Sequence, residues 1–149
     1  MKSAKGGYAM LVRNCSGGVV FSGDTVLLLM NDKHEWVFPK GVIRSGEFPD
    51  EVAVRRVQFE AGVKARIISS AGRTNYEFYS ISRQRPVCNK IIWYIMTTEQ
   101  NKAEANEALG FKDGGFFPVE KAMDMVTYSQ DKSLLMLSYQ KFKELVPST

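Results

Sequence analysis

The chain is 149 residues long, 44% hydrophobic and 24% charged, with a net charge of +4. That length builds one core rather than two, and the composition is that of a globular domain, not of a disordered chain. The charge suits polyanionic ligands such as nucleotides or RNA, but it is too small to argue for nucleic acid unless the basic residues cluster.

The scarce residue types narrow the field further. Two cysteines, Cys15 and Cys88, and a single histidine, His34, leave neither a CxxC pair nor the ligands of an ordinary zinc site. The thiols read as small buried hydrophobes, and His34 as a surface residue in a polar turn. The longest apolar runs, such as Val26 to Met30, are far too short to cross a bilayer, and Met1 to Gly7 lacks the apolar stretch of a signal peptide. The expectation is a cytoplasmic protein with no membrane partner.

In chain order, Tyr8 to Val12 and Val19 to Phe21 read as strands interrupted by Gly17-Gly18. Ser22-Gly23-Asp24 is a turn signal before the strand Val26 to Met30, and Asn31-Asp32-Lys33 is a second turn. Trp36 to Gly41 is extended and ends in Pro and Gly. A helix is predicted over Pro49 to Ala61. Pro49 suits the first helical position, Asp50 and Glu51 suit the dipole at that end, and Gly62 is placed to terminate it. Ala53, Val57 and Ala61 form its packing face. Two further strands follow, Arg66 to Ala71 and Thr74 to Ile81, then a basic turn over Ser82 to Pro86 that carries Arg83 and Arg85. Ile91 to Met96 reads as a central buried strand. Glu99 to Ala108 is a charged loop, Gly114 to Phe117 a short strand, Pro118 to Val126 a short helix and Gln130 to Leu145 an amphipathic helix. Asp131 and Lys132 read only as the start of that helix. This order of elements makes an α/β layered domain with a mixed sheet.

Residues 41–63 read GVIRSGEFPDEVAVRRVQFEAGV and resemble the box of the Nudix hydrolase family. That box is a Gly, five residues, a Glu, seven residues, then Arg-Glu-apolar-any-Glu-Glu-any-Gly-apolar. Gly41, Glu47, Arg55, Val57, Glu60, Gly62 and Val63 match, whereas Arg56 and Phe59 stand where the family has glutamate. The resemblance extends to SGGVVF and VLLL before the box and to GGFFPVEKAMDMV after it. The segment FPKG, residues 38–41, is similar to the subgroup that cleaves diadenosine polyphosphates and related nucleotides. The resemblance implies a Nudix fold, an α/β/α sandwich with a central mixed β-sheet, over a single domain of residues 1–149.

It also implies a chemistry. Positions 56, 59 and 60 share one helical stripe, where three carboxylates hold Mg²⁺ or Mn²⁺ against a diphosphate and the metal activates water. The expected substrate is a nucleotide or another molecule linked to a nucleoside diphosphate, with RNA as the other candidate ligand; dimers are common in the family, which leaves a homodimer open. Glu60 is the one metal ligand of the stripe that remains. Glu47 and Arg55 brace the loop onto the helix more often than they touch substrate; in a working enzyme with rerouted ligands, Glu47, close by, and Glu104 and Glu107 in the charged loop are the candidates to hold the metal with Glu60 or to act as base. Lys40 is implied to lie near the phosphates.

Arg56 sets the two readings apart. A fixed positive charge about 4 Å from a cation repels it by roughly 4 kcal/mol per unit charge at an effective dielectric of 20. Metal-dependent hydrolysis is then weak or lost, and Phe59 beside Val52 makes the stripe partly apolar, even packed shut. Alternatively Arg56, with Lys40 and Arg44, holds a phosphate directly, giving a non-catalytic nucleotide- or RNA-binding or interaction module on the same fold. Tyr76, Phe78 and Tyr79 are candidates for stacking a base, or are ordinary core and face residues of a strand.

Overall fold

The expected break at Gly17-Gly18 does not occur: Leu11–Ser22 is one strand, β1. A Cβ on Gly17 would lie 2.4 Å from the Pro39 carbonyl oxygen and 2.6 Å from the Trp93 ring, so glycine is there for close approach rather than for a turn. The computed structural model describes residues 9–147, so Met1 to Gly7 and the first residue of the expected strand, Tyr8, lie outside the described residues.

After β1 come β2 (Thr25–Met30), β3 (Trp36–Val37) and β4 (Lys40–Val42). The extended run Trp36 to Gly41 is thus split, because Phe38 is buried in the core and Pro39 cannot donate to a ladder. Helix α1 spans Pro49–Ala61, as its caps predict: Pro stands at its start and Gly62, at φ 66°, donates its N–H to the Gln58 carbonyl at 2.8 Å. The Ser16 hydroxyl donates to the Pro49 carbonyl at 2.6 Å and ties the start of the helix to β1.

The two strands expected after the helix are one, β5 (Arg66–Ser80), with register irregularities between Ile67 and Ser69 and between Ser70 and Gly72. Bulges absorb the Gly72 position, which at φ 113° sits outside ordinary strand geometry. β6 (Arg85–Thr97) runs well beyond the apolar core of Ile91 to Met96, and Arg85 belongs to it rather than to the preceding turn; its guanidinium donates to the Ala9 carbonyl at 2.8 Å. The remaining elements are β7 (Asp113–Pro118), α2 (Val119–Met125) and α3 (Ser129–Leu145), each within two residues of its predicted bounds.

The sheet is seven-stranded and mixed, in the order β3-β2-β1-β6-β5, with β4 also paired to β1 and β7 to β2. β1 and β6 are parallel from Leu11 opposite Val87 to Phe21 opposite Thr97; the other pairs are antiparallel. Alternate residues feed opposite faces. Val19, Phe21, Leu28 and Ile95 pack with Leu134, Leu135 and Phe142 of α3, while Val20, Leu27, Leu29 and Met96 pack with Ala53, Val57 and Ala61 of α1. The result is an α/β/α sandwich. Both cysteines are buried and free, His34 is exposed at a turn, and among the described residues no helix is long and apolar enough to cross a membrane.

The close packing at Gly17 sets a test. Gly17→Ala forces backbone at Pro39 and the Trp93 ring to move, and is expected to cost about 2 kcal/mol or more in urea unfolding, with an unchanged m-value.

Candidate functional site

Helix α1 packs against strand β4, and Gly41, Arg56 and Glu60 of the box meet at that contact. Glu60 sits on the last turn, 3% exposed. A carboxylate so buried needs a partner, and Arg56, one turn earlier, supplies it with an Nη2 to Oε2 contact of 2.5 Å. Burial pushes the Glu60 carboxyl up, and the Arg56 guanidinium offsets that only in part. Gly41 makes the arrangement possible. A Cβ there would lie 2.4–2.6 Å from Arg56 Cγ, Cδ and Nε, so only glycine lets the arginine stem lie flat on β4. Arg56 Nε is buried and without a hydrogen-bond partner.

Glu47 lies on the loop before α1 and makes two contacts. It accepts the Arg44 N–H at 2.8 Å through Oε1 and pairs with Arg55 at 2.6 Å through Oε2, which fastens the loop to the helix. The Arg44 amide and then Arg55 hold its carboxyl below the usual range. Phe59 does not close the stripe. It is 52% exposed, and the Arg56 guanidinium lies 5.3 Å from its ring centre.

The charged loop docks on the end of α1 through its backbone. The Glu104 and Asn106 amides donate to the Ala61 and Glu60 carbonyls at 2.8 and 2.9 Å, and the Asn106 side chain donates to the Phe59 carbonyl at 3.0 Å. These bonds satisfy carbonyls that a helix end leaves open. Glu104 and Glu107 are both exposed, Glu107 in a short 3₁₀ turn, Glu107–Leu109. Among the described residues no three His, Cys, Asp or Glu side chains gather as a metal site would need. Magnesium or manganese therefore does not fit the residues as they stand: the stripe's remaining carboxylate is engaged by a cation, and that cation sits beside the place an ion would take.

Beside this junction lies a recess of about 260 Å³ lined by Arg13, Cys15, Lys40, Gly41, Val42, Arg44, Arg56 and Asn89. Arg13 is oriented by a 3.0 Å hydrogen bond from Nε to the Asn89 side-chain oxygen. The recess thus gathers three of the predicted phosphate ligands, Lys40, Arg44 and Arg56, and adds Arg13, which the sequence reading missed. Only the parallel pairing of β1 with β6 brings Arg13 opposite Asn89.

Lys40 and Asn89 also line a second, more enclosed cavity of about 230 Å³ between the sheet and the start of α3. Tyr76 is here with Phe78, whereas Tyr79 points to solvent. The Tyr76 hydroxyl donates to Tyr128 at 2.6 Å, and Tyr128 in turn donates to Glu35, which also accepts from the Asn31 amide at 2.9 Å. Burial raises the Glu35 carboxyl, but the bonds from Tyr128 and Asn31, with Lys33 and Lys40 nearby, bring it below the usual range. Burial, followed by the bonds to Glu35 and Tyr76, raises the Tyr128 hydroxyl strongly.

Asp131 lines the same cavity at 8% exposure, and burial pushes its carboxyl up to about 6, with Lys40 drawing it down. It lies in the first turn of α3, as expected, and faces this cavity. Glu35, Tyr128 and Asp131 carry no local sequence signal; they meet because α3 crosses the end of the sheet.

The chain belongs to the NUDIX domain family, whose sequence model matches residues 12–137. Solved structures share its fold. An Ap4A hydrolase of C. elegans, as a binary complex, aligns with a TM-score of 0.66 at 19% identity, covering 89% of this chain and 98% of that one. The dihydroneopterin triphosphate pyrophosphohydrolase of E. coli aligns with a TM-score of 0.68 at 15% identity, covering 84% and 94%. Among curated relatives, the RNA pyrophosphohydrolase of Yersinia pestis (strain Pestoides F) is 29% identical over 83 residues, 50% of this chain and 47% of that protein. The putative mutator protein MutT4 of Mycobacterium tuberculosis (strain CDC 1551 / Oshkosh) is 23% identical over 99 residues, 66% of this chain and 39% of that one. The chain spans about half or less of the length of these curated relatives.

Two stability tests follow from the buried charges. Arg56→Ala leaves Glu60 buried without its partner and is expected to cost about 3 kcal/mol at pH 7. The penalty shrinks on acidification, because the folded state takes up a proton at Glu60 more readily than the unfolded chain does; denaturant melts across pH 5–8 read it. Asp131→Asn is expected to stabilise the protein by about 2 kcal/mol at pH 8, the gain from removing a buried charge less the lost helix-dipole contact. That gain closes as pH falls from about 6, the folded value, toward the unfolded value of 3.8.

Proposed function

We propose that this NUDIX domain binds the phosphates of a nucleotide, or of a molecule linked to a nucleoside diphosphate, through fixed cations, and that its metal-dependent pyrophosphohydrolase activity is weak or lost. The observation that carries this reading is the Arg56–Glu60 pair at 2.5 Å, which puts a guanidinium where the family's box places a carboxylate. Glu60 holds Arg56 in place before a ligand arrives, and the neighbouring Arg13, Lys40 and Arg44 add charge; among the described residues no carboxylate lines the recess itself, although Lys40 lies within reach of Glu60, Glu35 and Asp131. A guanidinium binds phosphate oxygens but does not lower the pKa of a water as a metal does. Binding without efficient turnover is the consequence.

The relatives favour the phosphate class of ligand: the names of three of those compared specify an Ap4A hydrolase, a dihydroneopterin triphosphate pyrophosphohydrolase and an RNA pyrophosphohydrolase. The enclosed cavity, walled by Tyr76, Phe78 and Trp93, suits the planar group such a molecule carries, and its link to the recess through Lys40 and Asn89 keeps that group beside the phosphates.

Calorimetry and a hydrolysis assay test the proposal together. Mg²⁺ is expected to bind the parent more weakly than millimolar, whereas diadenosine tetraphosphate binds in EDTA and loses at least about 10-fold in affinity on Lys40→Ala. Arg56→Glu with Phe59→Glu is expected to create Mg²⁺ binding and to raise pyrophosphate hydrolysis. A parent enzyme that hydrolyses diadenosine tetraphosphate with Mg²⁺ at about 1 s⁻¹ or faster overturns the reading. So does a folded double variant that binds metal no better than the parent.

A further inference from the structure

β5 closes one end of the sheet: among the described residues β6 is its only strand neighbour. The direction of its backbone groups can be read from α3. The Gln130 side chain, which comes from outside the sheet, donates to the Asn75 carbonyl at 2.8 Å, so that carbonyl points away from β6. Outward groups alternate along an antiparallel strand, so the N–H and C=O groups of Arg73, Glu77 and Tyr79 also point outward. Among the described residues no hydrogen bond reaches them. Proteins ordinarily guard such an edge with a proline, a bulge or a covering element. The bulges of β5 come earlier, before Gly72, and residues 73–80 keep a regular register without a proline. The side chains of Arg73, Asn75, Glu77 and Tyr79 are all exposed, on the sheet face away from the enclosed cavity that Thr74, Tyr76 and Phe78 line.

We infer that this edge pairs with the same edge of a second copy of the chain, β5 against β5 and antiparallel about a two-fold axis, so that one sheet runs through a homodimer.

Charge selects both the occupant and the register. With the axis at Asn75, Arg73 faces the partner subunit's Glu77, and symmetry sets Glu77 against the partner subunit's Arg73. The facing side chains project from one face of the joined sheet, where opposite charges attract across an antiparallel pair. An axis at Thr74, Tyr76, Glu77 or Phe78 pairs neither charge with its opposite, and the one at Glu77 sets two glutamates together. An edge that is its own complement suits a second copy over any other extended segment. At this register the Asn75 amide donates to the partner subunit's Asn75 carbonyl, which the exposed Gln130 side chain is free to release.

Helix α3 adds an apolar contact. Lys141 reaches the Ser70 carbonyl at 3.2 Å, so Gln130 and Lys141 set one stripe of the helix along the open edge. Leu137 lies on that stripe and is 60% exposed. A strand added to β5 covers part of it. The contact is small, so the dimer dissociates at micromolar rather than nanomolar concentrations.

Sedimentation equilibrium of the full chain, from about 1 to 500 µM, tests the pairing. The parent is expected to dimerise within this range. Arg73→Glu alone and Glu77→Arg alone each set like charges face to face, and each is expected to weaken the dimer by about 10-fold or more. Mixed in equal amounts, the two variants are expected to form a one-to-one heterodimer of parental strength, because every facing pair is then opposite in sign. Both side chains are exposed, so each variant keeps the parental thermal midpoint, which shows that lost association is not lost folding. A parent that stays monomeric throughout overturns the inference. A dimer that neither variant weakens does the same, as does a mixture of folded variants that associates no better than either one alone.

Discussion

A carboxylate buried to 3% exposure cannot stand alone, and the last turn of α1 is organised around that constraint. Glu60 needs a positive partner within hydrogen-bonding reach. In the family's box a metal ion shared with neighbouring carboxylates meets the need; in this chain the helix supplies its own cation four residues earlier. The substitution carries geometric conditions. The arginine stem must cross β4, and it crosses at Gly41, where a side chain would collide with it. The helix must hold its place against the sheet, which it does through Val57 and Ala61 below and the Ser16 hydroxyl at its start. Glycine, arginine and glutamate form one unit, and the unit decides the electrostatics of everything that faces it.

The unit faces one of two cavities that share Lys40 and Asn89. Lys40 lies between them, within electrostatic reach of Glu60 on one side and of Glu35 and Asp131 on the other. The recess is cationic because Arg13 and Arg44 line it beside Lys40 and the Glu60-paired Arg56, and among the described residues no carboxylate lines its walls. The enclosed cavity is different in kind. Glu35 is held charged by hydrogen bonds, while Asp131, without comparable support, is pushed up to about 6. On the proposed reading a phosphate occupies the first and a planar group with hydrogen-bonding edges the second. The separation is enforced by the parallel pairing of β1 and β6, which places Arg13 beside Asn89.

What could be read from the sequence was what depends on neighbours along the chain. Helix α1 was legible to the residue, since Pro49, the acidic first turn and Gly62 each act within a few positions. The glycines misled: Gly17 and Gly18 look like punctuation, but they serve contacts with Pro39, Trp93 and Met96, distant in sequence. β5 failed for a related reason. Its bulges near Gly72 read as a gap between two strands until β6 is seen to bridge it. The departures at Arg56 and Phe59 were visible, but their outcome was not. Spacing put Phe59 near Val52 and suggested closure; instead the ring stands out from the helix, because Val52 faces the sheet and Phe59 does not. Asp131 was legible as the start of a helix, whereas its place on a cavity wall comes from where α3 lands.

The same physics limits what this site can do with a bound phosphate. A dication neutralises the phosphate oxygens and also makes its own water more acidic, so binding and activation come from one group. A guanidinium supplies only the first of these. The base would then have to come from a side chain, and the carboxylates nearest the recess are already committed: Glu60 to Arg56, Glu47 to Arg55 and the Arg44 amide. Releasing either one would leave a charge uncompensated or loosen the loop that carries Arg44. On the proposed reading, in which a built-in cation replaces a removable ion, the site is hard to return to hydrolysis by any single side-chain movement. That coupling is why the proposed reading exchanges Arg56 and Phe59 together, and why it does not rest a metal site on Glu60 alone, though Glu60 matches the family's box.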